Sequence, residues 1–473
     1  MQGGRRKKKS VNREFAKVTY LFVGVFLLMM AYLVYFNIFQ SKDIINSPYN
    51  VRLDSMADRV VRGEIQDRDG NVLAQTKVDE QGNETRVYPY GNLFAHVVGY
   101  DSHGKAGLES TENFDLLTSN AFFVEKFIKE FQEKKNIGDN IITTLDTEIQ
   151  QAASDALGNY KGAVVVMEVT TGKILAMVSK PNFDPNTISE NWETISTSEN
   201  SVLVNRATQG SYAPGSIFKL VTTLAYMREK EPYNVYSYEC AGEIEHEGTT
   251  IHCARNRIHG TEDLLTSLAN SCNTSYSNIG LQLNLSQYRD TAEDLLFNSK
   301  LPNVLPYSQS KFQLDKSASS AEIMMTAIGQ GRTQVSPYHM VLITSAIANG
   351  GILMEPYLVD RIVKYTGNEI EKNMPKKYAE LMSSKEASQL KEYMLAVVEK
   401  GTAGALKNDR YTVAGKTGTA EYSSDKEKSH SWFVGFTNVD NPDIAISVVV
   451  ESADNSGMSA VTVAKRVLNA YYQ

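Results

Sequence analysis

Cysteine is scarce in this 473-residue chain, with 3 residues, and tryptophan scarcer still, with 2. A disulfide scaffold needs a far higher cysteine density and an even count. Proline (12) and glycine (31) are too few for a collagen-like or low-complexity chain. No internal repeat or low-complexity linker is present. Neither charge sign has a large excess: 48 Lys and Arg stand against 55 Asp and Glu, a net −7 that argues against a nucleic-acid binder. With 42% hydrophobic and 22% charged residues the composition is that of a globular protein. The length corresponds to about three domain-sized units.

Long hydrophobic runs are missing too, with one exception. Residues 18–39, VTYLFVGVFLLMMAYLVYFNIF, carry no charged side chain, and about 20 such residues cross a bilayer's hydrocarbon core. Tyr20 near one end and Tyr35, Phe36 and Phe39 near the other resemble interfacial belts. The run exceeds the roughly 7–15 apolar residues of a cleaved signal peptide, and no small-x-small cleavage site follows it. A retained anchor is therefore expected. Before it, residues 1–17 hold seven basic side chains (Arg5, Arg6, Lys7, Lys8, Lys9, Arg13, Lys17) and one acid, Glu14. The positive-inside rule keeps that tail in the cytoplasm and puts the acidic remainder outside the cytoplasmic membrane.

The outer part reads as an α+β plan. Residues 40–150 are mixed and polar, a non-catalytic pedestal, and residues 151–473 form the larger domain. Within the pedestal, Arg62 to Arg68 and Val72-Leu73-Ala74 flank the turn Asp69-Gly70-Asn71 and predict a hairpin. Residues 113–135 read as helical, 141–146 as a strand and 147–157 as a helix capped by Asp146 or Thr147. A second hairpin pairs the almost continuously apolar run 162–169 with 174–179, a strand expected to be covered on both faces. Strand signals return after Tyr411 (YTVAGKTGTAEY, HSWFVGF, DIAISVVVES), and a helix over 459–472 ends the sequence. Strands at both ends with helices between imply an antiparallel sheet built from sequence-distant segments.

The chemistry centres on Ser216-Ile217-Phe218-Lys219, at the head of an apolar helical stretch after Pro214-Gly215. Residues i and i+3 share a helix face, so Lys219 can lie beside the Ser216 hydroxyl. Serine needs a base within hydrogen-bond reach, and lysine can be one if burial or a second cation disfavours its charge. S-x-x-K alone is weak: it recurs at Ser308–Lys311 and Ser423–Lys426. S-x-N at Ser271-Cys272-Asn273 is weaker, recurring at Ser189–Asn191 and Ser198–Asn200. Lys416-Thr417-Gly418 occurs once, on a predicted strand. There Lys416 would supply the second cation, Gly418 would clear the substrate's path, and the strand edge could pair with an extended peptide. The three in this order are the signature of penicillin-binding proteins and class A β-lactamases.

On these residues the chain resembles the class B penicillin-binding proteins, the monofunctional D,D-transpeptidases, and within them the shorter penicillin-binding protein A group of Gram-positive bacteria. Arg62-Gly63-Glu64-Ile65, Asp67-Arg68-Asp69-Gly70 and Gly107-Leu108-Glu109 resemble the family's non-catalytic module. Thr171 to Ala176, Asn205-Arg206-Ala207, Tyr212 to Ser216, Gly329-Gln330-Gly331, Ala348 to Gly351 and Trp432 to Phe436 resemble its transpeptidase domain. The resemblance implies a serine β-lactamase-like transpeptidase fold: an antiparallel sheet flanked by helices. It implies that Lys219 deprotonates Ser216 for attack on the stem peptide's D-Ala-D-Ala carbonyl, with the backbone N–H groups of Ser216 and Thr419 holding the oxyanion. Ser271 would relay a proton toward the leaving D-alanine, between Lys219 and Lys416. Asn273 would hold the donor amide, and Thr417 and Thr419 the terminal carboxylate. β-Lactams would acylate Ser216. No cofactor is needed for that chemistry. A polytopic glycosyltransferase of the shape, elongation, division and sporulation group is the implied partner, since the chain has no glycosyltransferase motif.

The cysteines cluster at 240, 253 and 272, and His246, His252 and His259 are three of only seven histidines. Cys240, Cys253, His259 and Cys272 make a Cys₃His set, the composition of a structural zinc site, though the spacing is not that of a short zinc finger. A Cys240–Cys253 disulfide with Cys272 free, or three inert thiols, are the alternatives, and His246 and His252 are alternative ligands. The resemblance implies zinc, because some class B relatives carry a site here with one ligand inside the second motif. Two other functions compete: a serine β-lactamase, for which no E-x-x-L-N follows Asn273, and a catalytically idle scaffold of a cell-wall synthase.

Overall fold

The computed structural model describes residues 5–39, 56–122, 134–302, 305–422, 429–453 and 458–473, together with 126, 127, 129, 131 and 132. Helix α1 (Arg5–Phe39) contains the apolar run. Its stretch Phe15–Phe36 has a mean hydropathy of 2.1 and none of it is covered by the rest of the chain. By length and composition this helix is able to cross a membrane, as a single N-terminal anchor would.

Strands β1 (Ile65–Gln66) and β2 (Val72–Val78) form the expected hairpin, with Ile65 opposite Ala74. β3 (Glu84–Val87) continues it, and β4 (Asn140–Thr143) lies parallel to β1. The phrases Arg62-Gly63-Glu64-Ile65 and Gly107-Leu108-Glu109 meet here. The buried Glu109 carboxylate accepts Arg86 Nε at 2.7 Å on one oxygen and Arg62 on the other. A buried carboxylate costs several kcal/mol, of order 3–5, if its partner is removed; two guanidiniums hold this one. The helix expected over 113–135 is interrupted. One turn, Asn113–Leu116, forms; the backbone is then drawn to Asp139, whose N–H donates to Thr118 O (2.8 Å) and whose Oδ1 accepts Asn120 N (3.1 Å). Helical positions recur at 126, 127, 129 and 131, while 123–125, 128, 130 and 133 lie outside the described residues.

Helix α2 (Thr147–Leu157) is capped by Asp146, which accepts from Glu148 and Ile149 N–H. β5 (Gly162–Glu168) and β6 (Ile174–Lys180) follow as the second hairpin. Next come α3 (Lys219–Glu229) and the short strands β7 (Tyr238–Cys240), β8 (Glu243–His246), β9 (Thr249–His252) and β10 (Gly260–Glu262). β8 pairs with β9 and β7 with β10. Helices α4 (Leu264–Ala269), α5 (Asn273–Gln282) and α6 (Pro337–Ala348) lead to β11 (Val359–Val363) and β12 (Glu369–Lys372). These two strands extend the first sheet, whose order is β12-β11-β4-β1-β2-β3. After α7 (Ser384–Glu399) come β13 (Val413–Glu421), β14 (Ser429–Thr437), β15 (Ile444–Val450) and α8 (Ala460–Tyr471).

The second sheet is antiparallel throughout, in the order β13-β14-β15-β5-β6. Helix α6, every residue of it buried, packs on one face, and α2 and α8 pack on the sheet as well. β5 is therefore buried along nearly its whole length, which accounts for its lack of alternation. β13 is an edge strand, and the site assembles beside it.

Candidate active site

The turn carrying Ser216 is pressed onto β13. Gly215 sits at φ +55°, and a Cβ there would lie 2.3 Å from Thr419 O. The residues Gly215–Phe218 form a 3₁₀ turn and α3 begins only at Lys219, whereas the sequence predicts an α-helix from Ser216. Positions i and i+3 eclipse in a 3₁₀ turn, so Lys219 stays on the Ser216 face. Three neighbours fix this turn. Gly215 N–H donates to Gly329 O at 2.8 Å and Trp432 Nε1 donates to Ala213 O at 3.1 Å. The Glu451 carboxylate receives both Tyr212 OH and Arg206 Nε at 2.7 Å.

Lys219 is fully buried, and its Nζ donates to Ser271 O (2.7 Å), Asn273 Oδ1 (2.7 Å) and Ser271 Oγ (3.3 Å). Lys416, also fully buried, reaches the same hydroxyl: Nζ lies 2.9 Å from Ser271 Oγ and 2.9 Å from Thr417 O. Ser271 stands between α4 and α5 with φ +55°, a conformation costing of order 1 kcal/mol that persists at over-determined sites. Here Ser271 N–H donates to Leu268 O and Cys272 N–H to Ser267 O, at 3.1 and 3.0 Å. Asn273 opens α5 and its Nδ2 donates to His252 O at 3.0 Å. Burial pushes Lys219 down to about 7, against the pull of the Cys272 and Cys253 sulfurs. Lys416 is held well below the ordinary lysine range by burial and by the Lys219 charge.

From Lys416 onward the side chains of β13 alternate. Thr417 and Thr419 face outward, Thr417 partly buried and Thr419 exposed, while Gly418 and Ala420 face in. Gly418 departs from expectation. A Cβ there would meet Trp432 Cβ at 3.0 Å and Ile217 Cγ2 and Pro214 O at 3.1 Å, so the missing side chain admits the Ser216 turn rather than substrate. The Thr417 hydroxyl shares a 2.7 Å hydrogen bond with that of Thr402, which sequence reasoning missed. The available signal was the small-residue run Gly401-Thr402-Ala403-Gly404 after α7. The competing S-x-x-K at Ser308–Lys311 is a loop whose serine donates to Gln209 O, and Ser423–Lys426 extends outside the described residues.

Cys240, Cys253, His259 and Cys272 converge, their ligand atoms all within 4.8 Å of one another. Cys253 Sγ lies 3.7 Å from both Cys240 Sγ and Cys272 Sγ, and Cys240 Sγ lies 3.4 Å from His259 Nδ1. A disulfide requires about 2.05 Å, and all three cysteines are free. A tetrahedron with Zn–S of about 2.3 Å has S···S edges of about 3.8 Å, so the donor set fits a zinc ion. His252 is outside this group, its Nδ1 3.4 Å from Glu243, and His246 is on exposed β8.

Residues 162–472 match the penicillin binding protein transpeptidase domain. The chain belongs to that family. Residues 62–141 match the penicillin binding protein A dimerisation domain. The peptidoglycan D,D-transpeptidase PbpA of Mycolicibacterium smegmatis is 28% identical over 93% of this chain and 94% of its own length. PbpA of Mycobacterium tuberculosis is 29% identical over 98% and 99%. Among solved structures, the penicillin G acyl-enzyme complex of penicillin-binding protein A from M. tuberculosis has 28% identity and a TM-score of 0.79, over 87% of this chain and 99% of that one. The D,D-transpeptidase domain of a peptidoglycan glycosyltransferase from Eggerthella lenta has 30% identity and a TM-score of 0.78, over 87% and 98%. This penicillin-binding protein thus shares an antiparallel sheet flanked by helices with relatives that carry a covalent β-lactam.

Proposed function

We propose that the chain is a peptidoglycan D,D-transpeptidase working through an acyl-enzyme on Ser216. The observation that carries this is one hydroxyl, Ser271 Oγ, placed between two buried amines beside the Ser216 turn. A neutral Lys219 has two N–H groups, which Ser271 O and Asn273 Oδ1 accept at 2.7 Å; its lone pair, on an Nζ 3.3 Å from Ser271 Oγ, is the group that takes the Ser216 proton. Ser216 Oγ then attacks the carbonyl between the two D-alanines, and the proton goes to Lys219. The oxyanion is held by the Ser216 and Thr419 backbone N–H groups, which the Gly215 contact keeps together. The C–N bond breaks as Ser271, supported by Lys416, passes a proton to the departing D-alanine. Asn273 holds the donor amide, and Thr417 and Thr419 hold the terminal carboxylate. An amine of a neighbouring strand attacks the ester, forms the new amide and restores the Ser216 hydroxyl.

The finer parts of the reading rest on the sequence pattern, the cysteine–histidine cluster and the family resemblance. The chain divides into a cytoplasmic tail (1–17), an anchor (18–39), a pedestal (40–150) and a transpeptidase domain (151–473). The basic tail orients the anchor with its N-terminus inside. Cys240, Cys253, His259 and Cys272 hold a structural zinc; since Cys272 lies between Ser271 and Asn273, the ion would position the second motif. A polytopic glycosyltransferase supplies the polymer, and the pedestal is the surface it would meet.

The test is labelling by a fluorescent penicillin, with peptide mass spectrometry of the adduct. Acylation should map to Ser216 and vanish in Ser216→Ala; labelling that survives the substitution refutes the assignment. Metal analysis of the detergent-purified chain should give one zinc per molecule, and a substoichiometric value after gentle preparation removes the ion from the reading.

A further inference from the structure

The open face of β13 does not stop at Thr419. Its outward side chains are Thr417, which is partly buried, and Thr419 and Glu421, which are exposed. No hydrogen bond or ion pair joins the Glu421 carboxylate to a described residue. Among the described residues β13 pairs with β14 alone, so beyond the Gly215 contact its other edge can take an added strand. With the terminal carboxylate at Thr417 and the scissile carbonyl beside Ser216 and Thr419, a donor peptide must run antiparallel to β13. Its N-terminal portion then passes Glu421. Same-face positions on a strand are about 6.6 Å apart, so the residue preceding the two D-alanines lies between Thr419 and Glu421. A long side chain at that position would reach the Glu421 carboxylate.

We propose that Glu421 is a specificity-determining residue, an exposed carboxylate that favours donor strands whose residue before the D-alanine pair carries a free ammonium group. This rests on the transpeptidase reading above. It gives the donor strand a preferred chemical state. A strand whose side-chain amine is still free is held by Glu421, and one whose amine has been capped by acylation loses that pairing.

The experiment uses three penicillins that differ where the preceding residue of a donor would lie: penicillin G (neutral), ampicillin (α-ammonium) and carbenicillin (α-carboxylate). Second-order acylation rates are measured on the full chain and on Glu421→Gln and Glu421→Lys, with the ampicillin-to-carbenicillin ratio as readout. An exposed ion pair changes each rate by about twofold, attraction for one probe and repulsion for the other. The ratio should fall about fourfold in Glu421→Gln and about sixteenfold in Glu421→Lys, and the differences should shrink in 0.5 M salt. A donor peptide with a free diamino-acid amine should likewise lose its advantage over its N-acetylated form. A ratio that is the same in all three proteins overturns the role of Glu421 and leaves the transpeptidase reading standing. Failure of the unsubstituted chain to react with penicillin G strikes the transpeptidase reading instead.

Discussion

Gly215→Ala is the sharpest probe of how the site is assembled. The added methyl would lie 2.3 Å from Thr419 O, and a tolerable carbon–oxygen contact is about 3.2 Å, so the Ser216 turn and β13 must separate by about 1 Å. Gly215 also sits at φ +55°, where alanine costs about 1–2 kcal/mol. A displacement of about 1 Å between reacting groups costs about 10²-fold in rate. Loss of one oxyanion donor costs about 10²–10³-fold. Acylation by penicillin should therefore slow by about 10²–10³-fold, with a stability loss of about 1–3 kcal/mol. Stopped-flow labelling and a thermal melt measure the two quantities separately. Gly82→Ala supplies the control: Gly82 has φ +87° and nothing within 4 Å of a built Cβ, so it should lose stability without losing acylation rate. If Gly215→Ala acylates within threefold of the unsubstituted chain, the close approach of turn and strand is not what holds the oxyanion donors in place.

The acylation rate should rise with pH through a midpoint near 7, because Lys219 accepts the serine proton only when neutral and its value is pushed down to about 7. The groups facing it are Lys416, Ser271, Asn273, Tyr276 and the Cys272 and Cys253 sulfurs. A pH–rate profile flat between 5.5 and 8.5 would exclude Lys219 as the base. Thr402→Val removes the 2.7 Å partner of the Thr417 hydroxyl. One net hydrogen bond of about 0.5–1.5 kcal/mol predicts a loss of about 2–12-fold in penicillin acylation efficiency. Thr402→Ser should recover it, and equal effects of valine and serine would show that the hydroxyl does not matter.

Much of the site is legible because its chemistry is written locally. Ser216 and Lys219 are three residues apart on one turn, and Ser271 and Asn273 flank a single helix cap. Thr417 and Thr419 alternate on one strand. What brings these pieces together is not local. The Thr402 contact with Thr417 spans two segments with no shared motif, and Arg206, Tyr212 and Glu451 become one network only after some 240 residues of chain have folded back. The inward role of Gly418 depends on Trp432 and Ile217, neighbours supplied by tertiary packing. The helix expected over 113–135 is interrupted for the same reason, since Asp139 binds the backbone at Thr118 and Asn120. The two hairpins and the final helix were readable because turn residues and caps act at short range. The cysteines and His259, spread over 33 residues, left a disulfide and free thiols open until the fold brought them together.

The first sheet has a consequence for the order in which the molecule is made. Its strand β4 pairs along one edge with β11, Ile141 opposite Ile362, and the two are separated by about 220 residues of chain. At a synthesis rate of about 5–20 residues per second, β11 follows β4 by roughly 10–40 s. Throughout that interval β4, apolar and flanked by completed structure, has an unpaired edge on the growing chain. Such an edge is a template for any other strand. Until β11 arrives that edge stays open to foreign strands, for a span fixed by topology rather than by the stability of either sheet.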